Sequence, residues 1–154
     1  ALISTNNGEL LNKFGNLVNR TLKFKELEQI PEGKLDENIK LKIEETYKLV
    51  GENIEKLEFK EASNIAMELV EIANKYYDER KPWIQKKEDI NEFNNTIFTC
   101  ATIIANLSNI FEPFMPSACE KIREYLKIED KAWNIIQPKV GLKLENIEPL
   151  FVRL

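Results

Sequence analysis

The sequence contains no histidine, and this absence excludes more functions than any other feature of its composition. Histidine is the commonest general base, the usual activator of a nucleophile and the commonest metal ligand in proteins. Only two cysteines are present, and Cys100 and Cys119 lack the spacing of a metal site. We interpret them as buried thiols in a reducing cytosol. The chain is therefore expected to contain no catalytic residue and no metal ligand.

Segments that would export or anchor the protein are also missing from the sequence. The N-terminus lacks the basic and apolar regions of a signal peptide. No apolar run reaches the roughly 18 residues that are needed to span a bilayer. We therefore expect a cytoplasmic protein that makes no contact with a membrane.

Glycine and proline are scarce, with five and six among 154 residues, and most of them separate long periodic stretches. This arrangement favours long helices joined by turns over a sheet. With 43% hydrophobic residues, the chain can bury a core as one domain. We predict an all-α fold, a helical bundle of about five helices over residues 1–154, with a C-terminal tail, about 138–154, that packs on the bundle.

The apolar periodicity places the helices along the chain. The first helix is capped by Ser4 or by Asn6 and Asn7, and its stripe runs from Leu10 to Leu22. The predicted later helices run from Asp36 to a turn near Glu58, from about Lys60 to Lys81, from about Asp89 to Phe111, and around 118–126. In the helix that begins at Asp36, Leu57 is expected to close the apolar face, whereas the helix that ends at Phe111 is apolar in nearly every direction. We expect that helix to be central and buried, with Trp133 in a looser tail.

The net charge of −4 argues against a nucleic-acid partner, but the distribution of charge changes this interpretation. Two short segments, 10–25 and 80–87, contain four basic residues each and no acid. Residues 26–61 carry eleven acidic residues against six lysines, which is typical of a surface turned away from a polyanion. The alternative is that both basic segments are ordinary solvated surfaces. Under the first interpretation, the predicted phosphate contacts are Lys13, Lys23, Arg80 and Lys81.

Asn16 and Arg20 lie four residues apart on the predicted first helix, opposite its apolar stripe. They are therefore neighbours on one exposed face. An asparagine amide offers a paired donor and acceptor to a base edge, and an arginine offers fixed donors to a base carbonyl or a phosphate. Cytosine suits this pair because its edge presents one donor and two acceptors. An unremarkable helix exterior is the alternative.

Trp83 follows a basic helix end, where an exposed indole would stack on an unpaired base. The alternative is a tryptophan buried in the core. Asp78 precedes it and is expected either to orient Arg80 or to bond a base edge. The sequence alone leaves both pairs of alternatives open.

Four segments together resemble the anticodon-binding domains of methionyl-tRNA synthetases. The first is the segment 7–20, NGELLNKFGNLVNR, which matches the Gly-Asn-Leu-x-x-Arg pattern of that family's first helix. The other three are ANKYYDERKPW at 73–83, FEPFMP at 111–116 and PLFVR at 149–153. Each is weak alone, but their order and spacing over nearly the whole chain are specific.

This resemblance implies the fold of the anticodon-binding domains of class I aminoacyl-tRNA synthetases. It also implies that Asn16, Arg20 and Trp83 bind the CAU anticodon of methionine tRNA, with Asp78 as a further contact. The tRNA and the catalytic domain of the same synthetase are then the expected partners. Two other functions stay open: a helical interaction module that does not bind RNA, and the equivalent domain of another class I synthetase.

The catalytic half of such synthetases has no counterpart in this sequence. Its His-Ile-Gly-His and Lys-Met-Ser-Lys-Ser signatures are absent. The resemblance therefore implies ATP, magnesium, methionine and a possible zinc site for a catalytic domain, and no cofactor for this one.

Overall fold

Six helices make up the fold in the computed structural model, which describes residues 7–150 apart from the side chains of Asn7 and Leu10. They are α1 (Asn7–Leu22), α2 (Glu37–Glu55), α3 (Phe59–Arg80), α4 (Pro82–Glu88), α5 (Ile90–Ile110) and α6 (Pro116–Leu126). Within that range, the only β-type pairing is an isolated bridge between Gln29 and Lys143. The all-α prediction is confirmed. In the same range no helix has the length and apolarity to cross a membrane.

α1 buries the predicted apolar stripe against the rest of the bundle. Phe14, Leu17, Val18 and Leu22 are all at most 1% exposed. The proposed caps at Ser4 and Asn6 lie outside the described residues, and Asn7 begins the helix. α1 is therefore positioned by its buried face, which leaves the opposite face to the groove described below.

α2 begins as predicted, with Asp36 as its N-cap. The Asp36 carboxylate accepts a hydrogen bond from the Ile39 backbone N–H at 3.0 Å, which satisfies one of the free donors at a helix start. The expectation that Leu57 closes the apolar face was wrong. Leu57 has a positive φ of 60° in the turn to α3 and is 74% exposed, because the helix has already ended.

The break after α3 is followed by a further short helix that the periodicity did not predict. Lys81 adopts a left-handed conformation with φ 54°, and Pro82 occupies the first position of α4. Proline fits this position because it has no N–H to pair and its φ suits a helix. The Lys81-Pro82 pair therefore ends one helix and starts the next, and it turns the chain at the point where Trp83 follows.

α5 is the central helix, as predicted. Every residue from Thr96 to Ile110 is buried. The polar members of this stretch bond locally or hold the tail: the Asn106 side chain donates to the Ile136 carbonyl at 2.8 Å and accepts from the Ile136 N–H at 2.7 Å. A buried amide thus fixes an extended segment that has no regular structure of its own.

The tail beyond α6 also contacts the connection between α1 and α2. The Ile30 N–H donates to the Leu142 carbonyl at 2.9 Å, and the Gly141 N–H donates to the Ile30 carbonyl at 2.8 Å. Residues 141–144 therefore lie against residues 28–30, whereas 151–154 lie outside the described residues.

Candidate nucleic-acid interface

α1 and α3 run parallel and enclose a surface groove. Lys13 pairs with Glu71, and Arg20, further along α1, pairs with Asp78, further along α3. The two helices therefore run in the same direction. The groove is lined chiefly by Lys13, Asn16, Arg20, Asn74, Asp78 and Lys81. The most polar face of α1 therefore opens onto this groove.

The structure places Asn16 and Arg20 together, as their spacing predicted. Asn16 is exposed, and the Arg20 side chain is 24% exposed. Arg20 Nη2 lies 2.5 Å from Asp78 Oδ1. The interpretation that Asp78 orients Arg80 was wrong, since its carboxylate holds Arg20. One guanidinium nitrogen is thus engaged, and the remaining N–H groups are available for a further acceptor.

Tyr77 connects the groove to Trp83. The Tyr77 hydroxyl donates a hydrogen bond to the Arg20 backbone carbonyl at 3.0 Å, and the Arg20 guanidinium lies 3.9 Å from the centre of the Tyr77 ring. The same ring lies 6.1 Å from the Trp83 ring, centre to centre, at an angle of 39°. Trp83 does not line the groove itself, and Tyr77 is the residue that contacts both Trp83 and Arg20.

Trp83 is a surface residue with 45% of its area exposed, which excludes the buried alternative. Its helix, α4, is anchored to the rest of the fold by two neighbouring residues. Gln85 Oε1 accepts from the Thr96 hydroxyl at 2.8 Å, and Lys86 donates to the Lys25 carbonyl at 2.6 Å. The indole is therefore carried by a fixed helix and presents part of its surface to solvent.

The predicted phosphate contacts fall into two groups. Lys13 contacts Glu9 and Glu71 at 3.0 Å each, and these carboxylates raise the pKa of its ammonium group. Arg80 pairs with Glu92 on α5 and donates to Thr96. Lys23 and Lys81 are exposed and form no ion pair among the described residues. The basic segments are thus partly neutralised, and Lys23 and Lys81 present the less compensated charge.

Asn74, which lines the groove, and Tyr77, which lies beneath Arg20, were given no role from the sequence. Asn74 Nδ2 donates to the Lys13 backbone carbonyl at 3.2 Å, and its buried Oδ1 has no partner among the described residues. Burial raises the pKa of the Tyr77 hydroxyl, so this group stays a neutral donor at physiological pH. Asn74 lies four residues before Asp78 on α3, and Tyr77 lies four residues before Lys81, which follows the helix; this spacing was the available signal.

Comparisons with known proteins agree on one family. The sequence model described as the anticodon-binding domain of tRNA ligase matches residues 36–146. Methionine–tRNA ligases of Bacillus cereus and Bacillus anthracis are each 42% identical to the chain, in matches that cover 99% of it. The chain spans only 28% of the length of these relatives.

Solved structures with the same fold include two of Mycobacterium tuberculosis methionyl-tRNA synthetase. The form bound by methionyl-adenylate superposes with a TM-score of 0.85 at 20% identity, covering 96% of this chain and 32% of that one. The free form gives a TM-score of 0.82 at 21% identity, covering 96% and 33% respectively. At this level of identity, the likeness establishes the fold.

Proposed function

Because the chain belongs to the family of anticodon-binding domains of tRNA ligases, we propose that it binds the CAU anticodon of methionine tRNA. It does so as one part of a longer methionine–tRNA ligase in the cytoplasm, and it engages the catalytic domain of the same chain. The methionine–tRNA ligases that it matches over 99% of its length support the choice of amino acid. ATP, magnesium and any zinc ion then belong to the rest of that enzyme.

One observation carries the proposal: Arg20 on α1 and Trp83 on α4 both contact Tyr77, although these two helices do not pack against each other in the described part of the chain. This arrangement combines donors for a base edge with an exposed surface for stacking, which is how proteins recognise unpaired RNA bases. Asn16 lies four residues before Arg20 on the same face. The first anticodon base, cytosine, offers the donor and two acceptors that this pair complements.

Asp78 holds Arg20 and is itself 60% exposed at its side chain. We assign it two tasks, fixing the guanidinium and accepting a hydrogen bond from a base amino group. Lys13, Lys23, Arg80 and Lys81 supply phosphate contacts around this centre. Lys13 and Arg80 exchange their carboxylate partners for phosphate oxygens, whereas Lys23 and Lys81 reach phosphates without breaking an ion pair among the described residues.

A helical interaction module without RNA binding is the second candidate, and one observation favours it. Four cations of the two basic segments, Lys13, Arg20, Arg80 and Lys86, already face carboxylates. Together with the net charge of −4, this weakens the attraction for a polyanion. The exposed Trp83, which shares Tyr77 with Arg20, favours the first candidate, because neither a core nor an ion pair requires an indole at the surface.

Binding of an anticodon stem-loop RNA distinguishes the two candidates. We expect the chain to bind a CAU stem-loop more tightly than one with UAU, and Trp83→Ala to weaken binding by about tenfold or more, as loss of a stacked base predicts. Trp133→Phe is the matched control, since Trp133 is 39% exposed and contacts Tyr47 on α2. Equal affinity for both RNAs, or no effect of Trp83→Ala, would contradict the proposal.

A further inference from the structure

We propose that Tyr77 is a positioning residue that couples Arg20 to Trp83, so that the guanidinium and the indole recognise RNA as one unit. This inference rests on the function proposed above. It assigns the specificity of the groove to a residue that does not touch the RNA, because Tyr77 is only 4% exposed.

Tyr77 fixes the end of α1 through its hydroxyl group. The carbonyl of Arg20 belongs to the last turn of α1, where carbonyl groups lack partners within the helix. The Tyr77 hydroxyl supplies that partner at 3.0 Å. Since α1 ends at Leu22, this bond holds the turn from which the Arg20 side chain projects.

The ring of Tyr77 also contacts the guanidinium group of Arg20. The guanidinium lies 3.9 Å from the centre of the Tyr77 ring and also donates a hydrogen bond to the Asp78 carboxylate. Contact with an aromatic face attracts a guanidinium and restricts its rotation. A donor that is fixed before binding loses less conformational entropy when it meets a base. Arg20 is therefore restrained at its backbone and at its charged group by one residue.

The remaining part of the ring restrains Trp83. The two rings lie 6.1 Å apart at 39°, within the range of favourable aromatic pairs. α1 and α4 do not pack against each other in the described part of the chain, whereas α3 packs against both. A displacement of the Arg20 side chain therefore acts on Trp83 through Tyr77, and a displacement of Trp83 acts on Arg20 by the same route. The energetic effects of the two side chains on RNA binding are thus expected to be coupled.

Loss of Tyr77 should reduce the discrimination between anticodons more than it reduces the affinity for RNA. Without Tyr77, the indole still offers a stacking surface, and the guanidinium still carries its charge. Both groups then attract RNA, but their separation is no longer fixed. Affinity that comes from charge and stacking is tolerant of sequence, so discrimination between anticodons should fall more than overall affinity.

A double-mutant cycle tests the coupling. The probes are the CAU and UAU stem-loop RNAs, and the variants are Arg20→Ala, Trp83→Ala and their combination, each with Tyr77 and with Tyr77→Leu. With Tyr77 present, the combined loss of affinity should differ from the product of the single losses by at least about threefold, as for residues that share a partner. With Tyr77→Leu, the losses should multiply, and the preference for CAU should fall by at least about threefold.

The outcomes separate this inference from the proposed function. If Arg20→Ala and Trp83→Ala leave RNA binding unchanged, both proposals are overturned. If they weaken binding but their coupling and the preference for CAU survive Tyr77→Leu, only the role of Tyr77 is overturned. A general loss of folding would reduce affinity for both RNAs equally and would not change their ratio.

A milder variant keeps the test valid if Tyr77→Leu does not fold. Tyr77→Phe retains the ring and removes the bond to the Arg20 carbonyl, so we expect the preference for CAU to fall by about threefold, the effect of one hydrogen bond. Tyr125→Phe is the matched control, because the Tyr125 hydroxyl also donates to a backbone carbonyl, that of Glu148, on another part of the surface. An unchanged preference in Tyr77→Phe, equal to that in Tyr125→Phe, would overturn the proposal.

Discussion

The indole of Trp133 lies directly against Gly51, and a Cβ on Gly51 would stand 2.8 Å from Trp133 Nε1. The same nitrogen donates to the Tyr47 carbonyl on α2 at 2.9 Å. The glycine thus lets a tail residue approach the backbone of α2. A helical glycine normally costs about 1 kcal/mol relative to alanine, and here the close approach of the indole accounts for its presence.

Gly51→Ala should therefore destabilise the protein in spite of its better helix propensity. The added methyl group displaces the indole and breaks its hydrogen bond, for which we expect a net loss of about 1–2 kcal/mol in urea unfolding. In a Trp133→Ala background, the same change should become neutral or stabilising. Gly8→Ala is the control, since a Cβ there meets nothing within 4 Å. A stabilising Gly51→Ala with Trp133 intact would contradict this explanation.

The buried Tyr47 hydroxyl predicts a loss of stability at high pH. It donates to Asn106 Oδ1 at 2.7 Å and accepts from Asn109 Nδ2 at 3.2 Å. Burial raises its pKa from 10.0 to about 12. Because the pKa is higher in the folded state, the contribution is complete below pH 10 and is lost as the pH rises towards 12.

Tyr47→Phe should show this linkage. At pH 7 the variant should lose about 1–3 kcal/mol, because the two asparagine side chains lose a buried partner. Between pH 10 and 12, its stability should fall less steeply than that of the unchanged protein. Some decline will remain, since burial also raises the pKa values of Tyr76 and Tyr77. If the free energy of unfolding, measured in urea, falls equally steeply with pH in both proteins, this role of Tyr47 is ruled out.

The helices were predictable because they bury apolar residues at helical spacing. The stripe Phe14, Leu17, Val18 and the apolar run of α5 both followed from periodicity. α4 did not, because its seven residues are too few to show a period and the predicted helix ended at Lys81, just before it. The path of the tail could not be predicted either, since it depends on side chains such as Asn106, which lie far away in sequence.

The candidate site was predictable in part. The spacing of Asn16 and Arg20 follows from helix geometry, and the four motifs indicated the family, which the comparisons confirmed. The partner of Asp78 was mistaken, because Arg80 is close in sequence whereas Arg20 is close in space. The role of Tyr77 required the packing of three helices, which no local pattern contains.

The two cysteines should be unreactive while the protein is folded. Both are 0% exposed, and burial raises each thiol pKa to about 12. Since the thiolate is the reactive form, almost none is present at pH 8. We expect a disulfide reagent such as DTNB to modify neither thiol in native buffer and both in denaturant. Rapid modification of either thiol in native buffer would contradict the buried placement.

The salt dependence of RNA binding should identify the phosphate contacts. Lys23 and Lys81 are exposed and have no ion pair among the described residues, so replacing either removes a charge without leaving a carboxylate unpaired. Each phosphate contact on a single strand contributes about 0.7 to the slope of log affinity against log salt. Lys23→Gln and Lys81→Gln should each lower the slope by about this amount, with unfolding midpoints unchanged.

Lys60→Gln provides the matched control, because Lys60 is exposed at the start of α3 and belongs to neither basic segment. It should leave the slope and the affinity unchanged. Lys13→Gln should behave differently from all three variants, since it also frees Glu9 and Glu71 beside the groove. The two carboxylates then repel the RNA, and affinity should fall further at low salt than for Lys23→Gln. A slope that Lys60→Gln lowers as much as Lys81→Gln would mean that RNA is attracted by overall charge and not by this surface.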